Sequence, residues 1–245
     1  MDVASGERAF AGDDGWFPTA SAAKLPLHSA LGLAVADGRA RWHEPATVRE
    51  EDLVGDDGVV ACLTLPVTLP LRDFARLMLV VSDNSATNVV IRRLGIGAIN
   101  EAFQAFGLAQ GLILRRPVQA AAPTGEDVFA RARAETLLDY LAMLAQGRLA
   151  GAEETLAVAR RQSHTTMLPR LLPVGEGDDE PLWVANKPGA DAGHRADLGI
   201  VRGLGRHFTF VMMVTDCPDR GFPFDHPAER LIAECARLTF DALAP

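Results

Sequence analysis

Phe17-Pro18-Thr19-Ala20-Ser21-Ala22-Ala23-Lys24-Leu25-Pro26-Leu27 is the stretch on which the reading of this chain turns. Thr19 or Ala20 can open a helix whose apolar residues Leu25, Leu31, Leu33 and Val35 run to a stop at Asp37-Gly38. Pro26 is tolerated there because it falls near the first turn. Ser21 and Lys24 stand at i and i+3, on one face of that helix start. Burial and the positive end of the helix dipole both disfavour an ammonium at such a place. A lysine that loses its proton there can take the Ser21 hydroxyl proton and make a nucleophile. Composition sharpens the point, because all but two of the 24 basic residues are arginine, the exceptions being Lys24 and Lys187. Guanidinium does not deprotonate at ordinary pH, so the two amines stand where a removable proton is useful.

Two further stretches carry polar residues among apolar ones. Leu77-Met78-Leu79-Val80-Val81-Ser82-Asp83-Asn84 breaks a helical pattern that begins at Leu71 and resumes through Val89, Val90 and Ile91 to Gly95. Ser82 or Asp83 ordinarily reads as a helix cap, and the functional alternative puts Ser82 and Asn84 on a cleft wall facing Ser21. Leu182-Trp183-Val184-Ala185-Asn186-Lys187-Pro188-Gly189-Ala190 reads as a strand. It joins a second strand, through Arg195-Ala196-Asp197-Leu198-Gly199-Ile200-Val201, by a glycine-containing turn. Lys187 stands near the end of the first strand, beside a glycine that lets another group approach closely.

The set S-x-x-K, S-D-N and K-x-G, in this order and at these spacings, resembles that of class A β-lactamases in the serine β-lactamase and penicillin-binding protein superfamily. The resemblance runs from about residue 3 to the end. It implies an acyl-enzyme formed at Ser21, with Lys24 as base or relay and Ser82 as proton donor to the leaving nitrogen. It further implies that Asn84 hydrogen-bonds the substrate amide and that Lys187 supplies positive potential near the substrate carboxylate. The backbone amides of Ser21 and Ala190 would form the oxyanion hole, with Gly189 allowing substrate close to the strand. β-Lactams or related amides and esters are the expected substrates. An esterase or D-amino-acid peptidase on the same fold is the alternative, and a non-turnover β-lactam-binding sensor is one from another class.

Two departures from the family pattern bear on chemistry. The loop Leu114–Asp127 is short and has no acid where the family places its deacylating glutamate, so hydrolysis of the acyl-enzyme is expected to be slow. Glu126 or Asp127, at the loop's far end, reads as an ion-pair partner of Arg115 or Arg116, or as a relocated base. Pro188 replaces the usual hydroxyl residue after the motif lysine, which removes a side-chain donor and an amide. Carboxylate recognition then falls to Lys187 and to Arg195 or His194, unless those two simply sit in a solvated loop.

The expected fold is α+β, with an antiparallel sheet flanked by helices plus an all-helical lobe. Residues 1–18 and 174–245 would form the mixed lobe and residues 19–173 the all-α lobe, with the active site in the cleft between. The family's N-terminal helix and export signal find no room before the first strand, so a truncated start, or a partner chain covering that face in a homo-oligomer, is considered. As the chain stands it would be cytoplasmic; with a longer start, secreted or periplasmic. Net charge is −8, with no basic stripe for nucleic acid and no apolar run of membrane-spanning length. Cys62, Cys217 and Cys235 read as buried thiols, and the scattered histidines and cysteines offer no metal-ligand spacing, so neither metal nor cofactor is expected. The partner left is a small-molecule substrate.

Overall fold

The computed structural model describes residues 1–55, 58–119, 128–175 and 181–243. In chain order the elements are β1 (Phe17–Pro18), α1 (Lys24–Ala36), β2 (Pro45–Thr47), β3 (Thr68–Pro70), α2 (Leu71–Val80), α3 (Asn84–Leu94) and α4 (Ile96–Ala105). There follow β4 (Leu112–Leu114), β5 (Ala130–Ala132), α5 (Ala134–Ala145), α6 (Ala152–Ala159), β6 (Leu182–Asp191), β7 (His194–Gly203), β8 (Arg206–Val214) and α7 (Pro227–Ala242). A tight 3-10 turn, Ala20–Ala23, leads directly into α1 and carries Ser21.

The main sheet is antiparallel, in the order β6-β7-β8. Its register sets Lys187 opposite Leu198, Pro188 opposite Asp197 and Ala190 opposite Arg195. β6 is an edge of this sheet, which is where a proline, lacking an amide hydrogen, fits. One face of the sheet packs Leu182, Val201 and Phe208 against Ile232, Ala236 and Phe240 of α7. Those α7 residues recur at helical spacing, so one stripe meets the sheet while Leu238 stays exposed.

α1 is apolar around its whole circumference and lies inside the larger core, with Leu25, Leu27 and Leu31 buried among Phe74, Met78, Val89 and Phe103. Besides Lys24, its two buried polar residues have partners. His28 Nδ1 meets Thr155 Oγ1 at 2.9 Å, and Ser29 Oγ meets Tyr140 Oη at 2.7 Å. The α+β class is as expected, with one difference in detail. Residues 19–173 include the short strands β2 to β5, with β1-β5-β4 making a second small sheet, because brief β-pairing closes the connections between helices. Met1 and Val3 bond along β8, to Thr209 O and His207 O, around a bridge between Asp2 and Phe208. Of the three thiols expected to be buried, Cys217 is, Cys235 is half-buried and Cys62 is exposed on the turn after Gly58. Among the described residues no helix is long and apolar enough to cross a membrane.

Candidate active site

Three backbone features bring the predicted residues together. The first is the approach of β6 to the 3-10 turn. A methyl on Gly189 would stand 2.5 Å from Thr19 O, 2.7 Å from Ala22 N and 2.9 Å from Ser21 N. Only glycine allows the strand to lie so close to the serine's own backbone. The second is at the serine-aspartate-asparagine stretch, where Ser82 has φ 59°, a left-handed conformation that costs energy for a residue with a Cβ. Asp83 holds it there. Its Oδ1 accepts from Ala86 N at 2.7 Å, capping α3, and its Oδ2 accepts from Val59 N and Val60 N at 2.6 and 2.8 Å. The cap and the cleft wall are thus adjacent residues of one turn. The third is Ala20, at φ 44°, immediately before Ser21.

Lys24 is fully buried, and its Nζ donates to Ser82 O at 2.6 Å and to Asn84 Oδ1 at 2.6 Å, with Ser82 Oγ at 3.2 Å. Ser21 Oγ, one turn away on the same helix start, is not among those partners. The two acceptor-only oxygens of the 82–84 turn draw the amine across. Lys187, also fully buried, donates to Ser82 Oγ at 3.0 Å and to Pro188 O at 2.8 Å. Both lysines of the chain therefore reach one hydroxyl. Beneath them Asp197 accepts from Asn186 Nδ2 at 3.0 Å and from Leu168 N at 3.0 Å. Burial pushes its carboxyl up to about 7, against the opposing pull of those hydrogen bonds and of Lys187.

A cleft of ≈ 320 Å³ opens at this point, lined by Ser21, Ser82, Lys187, Pro188 and Ala190. His164, Thr166, Met167, Phe222, Pro223, Phe224 and Glu229 complete it, and sequence reading had singled out none of them. The exposed Phe-Pro-Phe run between the last strand and the last helix is the signal that could have. Segment 162–164 is tied to the end of α2, with Gln162 Nε2 donating to Leu79 O and Ser163 Oγ to Val80 O.

One expected substrate contact is placed otherwise. Arg195 does not face the cleft. Its side chain is fully buried, and Nε donates to Glu229 at 2.9 Å while Nη1 and Nη2 donate to Asp191 O, His194 O and Gly221 O. Those bonds use the guanidinium to fasten a loop, leaving it unsuited to a substrate carboxylate. Gly189 spends its missing side chain on packing against Ser21, and Asn84 Oδ1 is held by Lys24. Glu126 and Asp127 lie outside the described residues. Among the described residues no group of His, Cys, Asp or Glu gathers as a metal site.

No curated protein matches this chain. Among solved structures, a beta-lactamase from Sphaerobacter thermophilus DSM 20745 is 25% identical, with TM-score 0.88 over 98% of this chain and 88% of that one. A point mutant of PBP-A, solved as an acyl-enzyme complex with penicillin G, is 26% identical, with TM-score 0.82 over 99% of this chain and 87% of that one. An ancestral class A beta-lactamase, at 22% identity and TM-score 0.85 over 99% of this chain and 92% of that one, shares the fold. The profile described as the beta-lactamase enzyme family matches residues 1–243, and with both lysines gathered on one serine beside the cleft, this chain belongs to that family.

Proposed function

We propose that this protein is a serine hydrolase that forms an acyl-enzyme at Ser21 with β-lactams or related amides and esters. The observation that carries the reading is the convergence of Lys24 and Lys187 on Ser82 Oγ, at 3.2 and 3.0 Å, in the cleft that Ser21 lines. Ser21 Oγ adds to the substrate carbonyl carbon while Lys24, entering as the neutral amine and releasing one of its bonds to the 82–84 turn, takes its proton. The carbonyl oxygen, now negative, lies against the amides of Ser21 and Ala190, and losing one such donor costs about 3 kcal/mol of barrier. The carbon–nitrogen bond then breaks, and the nitrogen takes a proton from Ser82, which Lys24 replenishes through the same hydrogen bond. Lys187 keeps the Ser82 hydroxyl oriented and adds positive potential. Water later cleaves the ester on Ser21.

That last step is the slow one. The loop Leu114–Asp127 carries no acid where the family places its deacylating glutamate, and Glu229, which lines the cleft, is held by Arg195. Intact-mass measurement after mixing with penicillin G, a cephalosporin and an aryl ester tests the reading. A mass increase of one acyl group that accumulates within seconds and decays over minutes, absent in Ser21→Ala, is expected. Equal labelling of wild type and Ser21→Ala would refute it.

A further inference from the structure

Phe222 is 67% exposed and Phe224 90%, an unusual cost for two large aromatic rings, separated by a single residue, at the rim of a cleft that contains a nucleophile. The lip they form is held in place. The Arg195 guanidinium lies 4.8 Å from the Phe222 ring centroid and donates to Gly221 O at 2.6 Å, and its pairing with Glu229 anchors the same loop to the start of α7. Pro223, between the rings, fixes its own φ. Met167 and Pro188 line the same cleft, a thioether and a ring that pack well against aromatic faces. Glu229, which also lines the cleft, is ion-paired with Arg195 at 2.9 Å.

We propose that this lip is a specificity site for an aryl or other large apolar group on the leaving side of the scissile bond. It rests on the reading that Ser21 is acylated and Ser82 protonates the leaving group. Ser82 and Lys187 line the cleft on whose rim the lip stands, and in the proposed chemistry the group that takes its proton from Ser82 leaves along that cleft. A preformed lip gains affinity because little of it has to be ordered on binding.

Two esters with one acyl group separate the lip from the chemistry: hippuryl-phenyllactate, which carries a benzyl group on the leaving side, and hippuryl-glycolate, which lacks it. Binding is measured by NMR titration to Ser21→Ala, where no acylation intervenes. The benzyl ester is expected to bind about tenfold tighter than the glycolate, and adding Phe224→Ala should bring the ratio near one. Phe224 is so exposed that its truncation leaves the fold intact. Equal affinities for the two esters, or a ratio that survives Phe224→Ala, would overturn the lip proposal even where wild type is acylated at Ser21. A ratio that behaves as expected in a protein never acylated would uphold the lip and overturn the nucleophile instead.

Discussion

At the scale of single residues, Gly189 and Lys24 set the site. A methyl at 189 has nowhere to go, since the atoms it meets at 2.5 and 2.7 Å are backbone of the Ser21 turn. Gly189→Ala should therefore cost about 1–3 kcal/mol in denaturant unfolding and slow acylation together, because the strand and the turn must part. Lys24→Arg keeps a charge but removes a base. Acylation by penicillin G, followed by mass, should fall by about 10²–10⁴, and retention of a tenth of the wild-type rate would exclude Lys24 from proton transfer. The two lysines were legible in the sequence through the scarcity of lysine in an arginine-rich chain. The partner of Lys24 was less so. Spacing places Ser21 on its face, whereas the amine's hydrogen bonds depend on a left-handed Ser82 carbonyl that no local pattern announces.

Among the elements, the turn between α2 and α3 does the most positioning with the fewest residues. Asp83 satisfies Ala86 N and the amides of Val59 and Val60, so the 58–60 turn, the helix cap and Ser82 move as one piece. Asp83→Ala leaves three donors short of an acceptor and should destabilise the protein by about 3 kcal/mol, read from the urea midpoint. Gly58 approaches the same carboxylate so closely that a methyl would stand 2.5 Å from Asp83 Oδ2, and its φ of 111° suits glycine alone. Gly58→Ala should lower the melting temperature as well. Helix α7 was readable from the stripe it buries, and strands β6 to β8 from their apolar runs, β6 and β7 being buried at consecutive positions over most of their length. The short strands β2 to β5 were not, because three residues carry no period. Arg195 was misread for a related reason. Its place after a turn suggests a surface cation, and only tertiary packing brings Glu229 and the Gly221 carbonyl to it.

For the whole molecule, two buried titratable groups pull stability in opposite directions with pH. Burial lowers the His28 imidazole from 6.5 to about 4, with Glu154 opposing and Arg76 assisting. The folded state thus holds a neutral imidazole, and its contribution is complete above pH 6.5 and lost as pH falls towards 4. Asp197 is the reverse. Its folded value lies above the ordinary 3.8, so its contribution is complete below that pH and lost as pH rises through about 7. Between pH 4 and 6.5 the slopes cancel, each about 1.4 kcal/mol per pH unit. Urea unfolding of Asp197→Asn should show stability climbing by roughly 3 kcal/mol across that window, and His28→Gln should show it falling. Two flat profiles would contradict both burials. None of this was legible beforehand, since whether a histidine or an aspartate is sealed from water is decided by distant segments. For His28 these are α6 and Trp42, and for Asp197 they are Asn186 and Leu168.

Ser82, bonded to both lysines, is the obvious rival to Ser21 as the acylated residue, and the two fall on different tryptic peptides, 77–92 and 9–24. Tandem mass spectrometry of the penicillin G adduct, quenched within seconds, should find the acyl group on residue 21 of peptide 9–24. An acyl group on peptide 77–92 would contradict the assignment of Ser21 as nucleophile.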